Sequence, residues 1–326
     1  VTRTVWNYTP DLPIRSAPFL HWPLEPKKIA RYLLRAWKPL TPRIFMLAVA
    51  FGIWAWLMPA ASAAESLSPG WVAGVWLRNL LLVAVVAGGV HVWLYRWGRQ
   101  GEGLRYDARP LGRNKRKFLF GDQVKDNMFL TLASAVAVWT LAESAVLWAY
   151  ANGVAPRLHW EADPVWFVVL LAAVPYWSYT WFSVTHRLLH FGPVYRRVHS
   201  WHHRNDNLGP WSGLAMHPLE HVVLFGDVVI LLLLPSHPVH LYFMLMHHGL
   251  GAPLSHTGYD ALLLGRRLRF EFGDFHHQLH HRFVECNYGT PDIPLDDMIG
   301  SWHDGGPEGD RRIAERIRQR TESRSG

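Results

Sequence analysis

Histidines crowd one stretch of this chain. Sixteen of the 20 lie between His186 and His281, fourteen of them grouped as His186-x-x-x-His190, His199-x-x-His202-His203, His217-Pro-Leu-Glu-His221, His247-His248, a lone His256 and His276-His277-x-x-His280-His281. Neutral imidazole is the commonest metal ligand among side chains, and residues three or four apart share one face of a helix, so each cluster can aim several nitrogens at one point. A single His-x-x-x-His pair is common by chance. Three dense clusters beside apolar segments point to a metal centre, and their number suggests two ions.

Imidazoles suit Zn, Cu, Fe or Ni, and spacing alone does not choose among them. The chain lacks the repeated Glu-x-x-His pairs of soluble di-iron bundles and the His-Glu-x-x-His of zinc proteases. Its one cysteine, Cys286, excludes an internal disulfide and thiolate clusters and reads as a small buried residue. No glycine-rich phosphate loop or Gly-x-Gly-x-x-Gly is present, so neither a nucleotide nor a flavin site is expected. What remains is a histidine-rich site for one or two such ions, whose setting the rest of the chain must supply.

The elements that must position these histidines are membrane helices. Half of the residues are hydrophobic and 18 are Trp, yet 33 Lys+Arg stand against 25 Asp+Glu. Apolar runs at 44–61, 71–95, 128–150 and 164–184 each approach the roughly 20 residues of a spanning helix. Shorter runs at 222–234 and 239–250, joined by Pro235-Ser-His-Pro238, predict a hairpin that just spans or dips in from one face. Trp71, Trp93, Trp97, Trp160, Trp166 and Trp181 flank the runs as interfacial anchors. Glu143 lies inside the third run, where it would line a substrate tunnel or pack protonated.

Charge asymmetry orients the spans. Lys27, Lys28, Arg31, Arg35, Lys38 and Arg43 precede the first, the 62–70 connection has no Lys or Arg, the 96–125 connection is strongly basic, and the next holds only Arg157. Basic segments stay inside. Both chain ends and every dense histidine cluster are therefore expected on the cytoplasmic side, of the inner membrane if the source is bacterial. The Arg113-Asn-Lys-Arg-Lys117 run reads as a topology signal against anionic lipid, and no nucleic-acid partner is expected. The first forty residues lack a short apolar core, so no cleavable signal peptide is expected.

The predicted fold is an all-α integral membrane helical bundle of about four spans plus a short hairpin, with a cytoplasmic histidine-rich helical cap holding a di-metal site. It divides into a cytoplasmic segment 1–43, a transmembrane region 44–184, a histidine-rich catalytic region 185–303 that includes a membrane hairpin at 222–250, and a polar tail 304–326 with a short helix around 311–318.

The order of motifs over roughly 181–300 resembles the fatty acid hydroxylase superfamily, in particular its sterol desaturase and sterol methyl oxidase branch: His-x-x-x-His, His-x-x-His-His, His-Pro-x-Glu, His256-Thr-Gly-Tyr-Asp, then Asp274-Phe-His-His-x-x-His-His and Asn287-Tyr-Gly. The resemblance implies an integral membrane oxidoreductase with two Fe ions that uses O2 and external electrons to hydroxylate or desaturate a lipid C–H bond. By motif it implies metal ligands at His186, His190, His199, His202, His203, His256, His277, His280 and His281. Thr257 stands where the family usually has Ser. His217 and His248 are open between ligand and bracing roles, and His276 between ligand and a partner of Asp274. His247 is open as a ligand too, less favoured than His248, and His221 reads as local packing or interfacial solvation. The implied partners are a membrane lipid and a ferredoxin- or cytochrome-type donor with its reductase. A sterol-type substrate is favoured, with a fatty acyl, carotenoid or ether-lipid hydroxylase as the alternative. A histidine-rich metal transporter or buffer is the competing class, disfavoured because the clusters fall at or beyond span ends rather than at mid-membrane.

Overall fold

Proline and short polar caps open the long helices, where a missing N–H is harmless and free backbone donors need an acceptor. In the computed structural model, which describes residues 6–265 and 268–325, a peripheral helix α1 (Pro26–Ala36) leads into α2 (Pro42–Leu57), entered through Thr41, whose Oγ1 accepts from Ile44 N. Three longer apolar helices follow: α3 (Pro69–Arg96), α4 (Gln123–Ala151) and α5 (Pro164–Leu189). Asp122 caps α4 through the Val124 and Lys125 amides at 3.0 Å, and Asp163 caps α5 through Trp166 N at 2.9 Å.

These three are long and apolar enough to cross a membrane. The expected first span is shorter. Met58, before Pro59, turns to extended backbone (φ −74°, ψ 135°), because proline disfavours the helical conformation of its predecessor, and α2 stops at Leu57. Trp76, Leu77, Leu81 and Val85 on α3, Phe129 and Leu141 on α4, and Val165, Val168 and Val169 on α5 stay exposed as an apolar belt suited to lipid.

Beyond α5 come α6 (Gly192–Arg197), the 3-10 turns His199–Arg204 and Pro210–Leu214, α7 (Pro218–Leu224), a 3-10 stretch Phe225–Leu232, α8 (Pro238–Gly249) and α9 (Gly251–Ser255). The second arm of the expected membrane hairpin, α8, is buried at every residue and packs against α2, α4 and α5. A helix apolar on all sides can be covered by protein as well as by lipid, and here protein covers it. The chain is not wholly helical: β1 (Ala261–Leu264) and β2 (Leu268–Glu271) pair antiparallel, with Ala261 opposite Glu271. Helix α10 (Phe275–Phe283) follows. The tail forms a longer helix than expected, α11 (Pro307–Ser325), whose first turn carries Glu308 paired with Arg311 and Arg312 at helical spacing.

Glu143 does not line a tunnel. It is fully buried, and both its oxygens lie 2.5 Å from Arg78 Nη2, with Asn79 Nδ2 at 3.1 Å from Oε2. The pair locks α3 to α4, each charge answering the other at a depth where neither is tolerated alone.

Candidate metal centre

Four structural elements deliver nine histidines to one place. The last turn of α5 supplies His186 and, at its C-cap, His190; the turn at His199–Arg204 supplies His199, His202 and His203; the end of α9 supplies His256; and α10 supplies His277, His280 and His281. Asp274 starts α10 by accepting from His277 N at 3.0 Å. The histidines sort into two groups, His186, His190, His199, His203 and His280 in one and His202, His256, His277 and His281 in the other, with the candidate ligand atoms of each group within 4.8 Å of one another. Both the His199 turn and α10 contribute to both groups. Residues i and i+4 go together (199 with 203, 277 with 281), and the residue on the neighbouring face crosses over.

The Nε2 atoms face each other. In the five-histidine group His186 and His199 are 2.8 Å apart, His199 and His203 3.0 Å, and His203 and His280 3.1 Å. In the four-histidine group His202 and His256 are 3.3 Å apart, His256 and His277 3.1 Å, and His277 and His281 3.2 Å. The opposite ring nitrogens show what these contacts are. His186 Nδ1 donates to the Tyr288 carbonyl (2.5 Å), His256 to Ala252 (2.9 Å), His280 to Cys286 (2.6 Å) and His281 to Asn205 (3.0 Å), while His199 Nδ1 meets Glu220 Oε1 at 2.6 Å. A carbonyl only accepts, so the proton sits on Nδ1 and Nε2 presents a lone pair. Lone pairs set against one another at about 3 Å repel unless a cation lies between them. Two nitrogens each about 2.1 Å from one ion at a right angle are about 3.0 Å apart, so the spacing fits a metal in each group.

Burial keeps the rings in the form a metal needs. Desolvation first, and then the neighbouring imidazoles, hold His199, His203, His277 and His281 well below their ordinary pKa, and burial brings His256 to about 3. A cavity of about 350 Å³ opens on His186, His199, His202, His256 and His277 from both groups, with Met46, Phe182, Leu189 and Met216 among its apolar walls. Phe182 stacks on His186 with centroids 4.8 Å apart. Gly213 secures one wall: a Cβ there would lie 2.3 Å from the Ala252 carbonyl oxygen, the atom that fixes the His256 ring.

His217, His248 and His276 fall outside both groups. His217 caps α7 by accepting from Leu219 N, and His248 Nε2 meets Asp227 Oδ2 at 2.9 Å. The ring of His276 packs on Trp302 with centroids 4.4 Å apart; Asp274 bonds the backbone of His277 instead of that ring. His221 braces Ser134 and the Leu214 carbonyl. Sequence reading passed over Glu220, the carboxylate on His199, although the His-Pro-x-Glu segment contains it. The carbonyls of Tyr288, Ala252, Cys286 and Asn205 left no trace in side-chain identity.

Residues 167–301 match the family model of fatty acid hydroxylase. A Delta(7)-sterol 5(6)-desaturase of Gibberella zeae is 33% identical over 38% of this chain and 38% of its own length. A C-4 methylsterol oxidase of Schizosaccharomyces pombe is 33% identical over 34% of this chain and 39% of its own, and a methylsterol monooxygenase of Rattus norvegicus 29% identical over 44% and 50%. The chain thus spans half or less of the length of these relatives. No solved structure matches it. The two groups of converging histidines therefore lie within the stretch that matches the fatty acid hydroxylase model, in a chain similar over part of its length to sterol desaturases and methylsterol oxidases.

Proposed function

We propose that this chain is a membrane di-iron oxygenase that hydroxylates or desaturates a C–H bond of a lipid, with a sterol-type substrate favoured. The observation that carries the reading is the convergence of nine Nε2 atoms, from seven buried and two half-buried histidines in two groups, at an apolar cavity that both groups line. His186, His190, His199, His203 and His280 would hold one iron, and His202, His256, His277 and His281 the other. When bound, the two irons supply activation of dioxygen and oxidation of an unactivated C–H bond. The protein's own work is orientation and exclusion. Carbonyls and Glu220 hold the rings in one tautomer, Phe182 closes against His186, and the apolar walls keep water from the reacting carbon.

The sterol preference rests on the relatives' named activities. Electrons come from an external ferredoxin- or cytochrome-type donor, and the histidine-bearing face lies in the cytoplasm, as the basic segments before α2 and between α3 and α4 favour. Protein purified from iron-replete cells should carry about two irons per chain and consume oxygen only with both reductant and an apolar lipid present. His202→Ala and His280→Ala should each lower the metal load and abolish turnover. One metal or none in intact protein, or no oxidation across a panel of sterols, acyl lipids and ether lipids with a competent donor, sinks the proposal.

A further inference from the structure

The cavity has a polar region as well as its histidine end. His247, on α8, lines it, and its ring lies against that of Tyr179 with centroids 5.5 Å apart. His247 Nδ1 donates to the Phe243 carbonyl at 2.8 Å, so the neutral ring presents Nε2 as an acceptor. That atom is buried and has no hydrogen-bond partner among the described residues. Arg43 lines the same cavity, with its guanidinium 5.3 Å from the Tyr176 ring and 5.8 Å from the Tyr179 ring; Nη2 reaches Asp292 at 3.4 Å, and Nη1 is buried with no hydrogen-bond partner among the described residues. Thr290 Oγ1, also at the wall, is in the same state. His247 and Arg43 are each only 6% exposed, so water does not readily answer these atoms.

Orphaned polar atoms sealed in an apolar wall are costly, and their types specify what would satisfy them. Nε2 of His247 needs a donor, whereas Nη1 of Arg43 needs an acceptor. One small group does both: an alcohol hydroxyl. A ketone or carboxylate would answer Arg43 and leave His247 unpaired, and a hydrocarbon would answer neither. We propose that Arg43, His247 and Thr290 bind the hydroxyl of an otherwise apolar lipid alcohol and so fix how that lipid lies in the cavity. The inference rests on reading the cavity as the substrate chamber. Tyr179, beside both groups, precedes His186 on α5 by seven residues, about 10 Å along the helix axis. The hydroxyl end is thus set back from the metal-binding end, and anchoring it decides which C–H bond is presented.

Binding to the full-length, metal-loaded protein in nanodiscs tests this with two probe sets, cholesterol with cholestanone and cholestane, and hexadecanol with hexadecane. In at least one set the alcohol should bind about 10- to 100-fold more tightly than its hydrocarbon, with the ketone between them in the sterol set. His247→Leu and Thr290→Val should each shrink that preference while leaving hydrocarbon affinity and metal content unchanged, and His247→Gln, which keeps an acceptor, should restore part of it. The preferred alcohol should yield one oxidation product with wild type and a mixture with His247→Leu. Equal binding of alcohol and hydrocarbon by wild type in both sets, or an undiminished preference in both metal-replete variants, overturns the inference. Lipid oxidation without alcohol preference would remove this inference and leave the oxygenase reading standing; alcohol preference without any oxidation would do the reverse.

Discussion

Replacing Glu220 by Leu isolates one metal group from the other. Among the described residues the Glu220 carboxylate hydrogen-bonds His199 alone, through a 2.6 Å contact to Nδ1, and His199 belongs to the five-histidine group. Leucine keeps the bulk but leaves a buried N–H with no acceptor behind a ring that presents Nε2 to the group. Leaving a buried donor unsatisfied costs about 1–3 kcal/mol, a factor of roughly 5 to 150 in an equilibrium constant, and losing the outer partner of a ligating histidine typically costs about 10- to 100-fold in metal affinity or activity. Glu220→Gln retains an oxygen acceptor for the same N–H and should lose less. The assay is metal content by mass spectrometry after dialysis against increasing chelator. Glu220→Leu should fall from about two metals to about one at a chelator concentration that strips neither from wild type, with Glu220→Gln between them. A Leu variant that holds both metals as well as wild type would show that Glu220 does not support His199 as a ligand.

Three other perturbations test the frame around the site. Arg78→Met or Glu143→Gln alone strands the other member of the buried pair and should cost about 3–5 kcal/mol, lowering the thermal midpoint in detergent, while Arg78→Met combined with Glu143→Leu should recover most of the loss; equal losses for single and double variants would contradict the pairing argument. In metal-free protein, burial holds His256 and His276 at about 3 against an ordinary 6.5, so below about pH 6.5 the unfolded chain binds protons that the folded chain refuses. Stability should therefore be full above that pH and fall steadily as the pH drops towards 3, and a thermal midpoint that stays flat through this window would count against it. For topology, cysteines placed at Ser66 or Asp163 should be labelled from outside the cell and one at Arg204 should not; external labelling at Arg204 would reverse the assigned orientation.

The sequence by itself marked out the residues that could do chemistry. Imidazole is a metal-ligand type and spacing such as His186 with His190 or His277 with His281 follows from helical periodicity, so the clusters and the apolar runs of α3, α4 and α5 could be read before any fold was known, while the choice of nine candidate histidines came from the family-like order of motifs. The tertiary structure decided what depends on distant partners. It divided the nine into five and four, because whether His202 and His280 join their chain neighbours or cross over depends on how the His199 turn, α9 and α10 pack. It paired Glu143 with Arg78 across 65 positions of chain, a match that neither local segment encodes. It buried α8 in protein rather than lipid, since an all-apolar helix carries no mark of which apolar surroundings it will meet. And it set Glu220 and four backbone carbonyls behind five of the converging rings, where the proton on Nδ1 is fixed by an oxygen whose position only the folded chain determines.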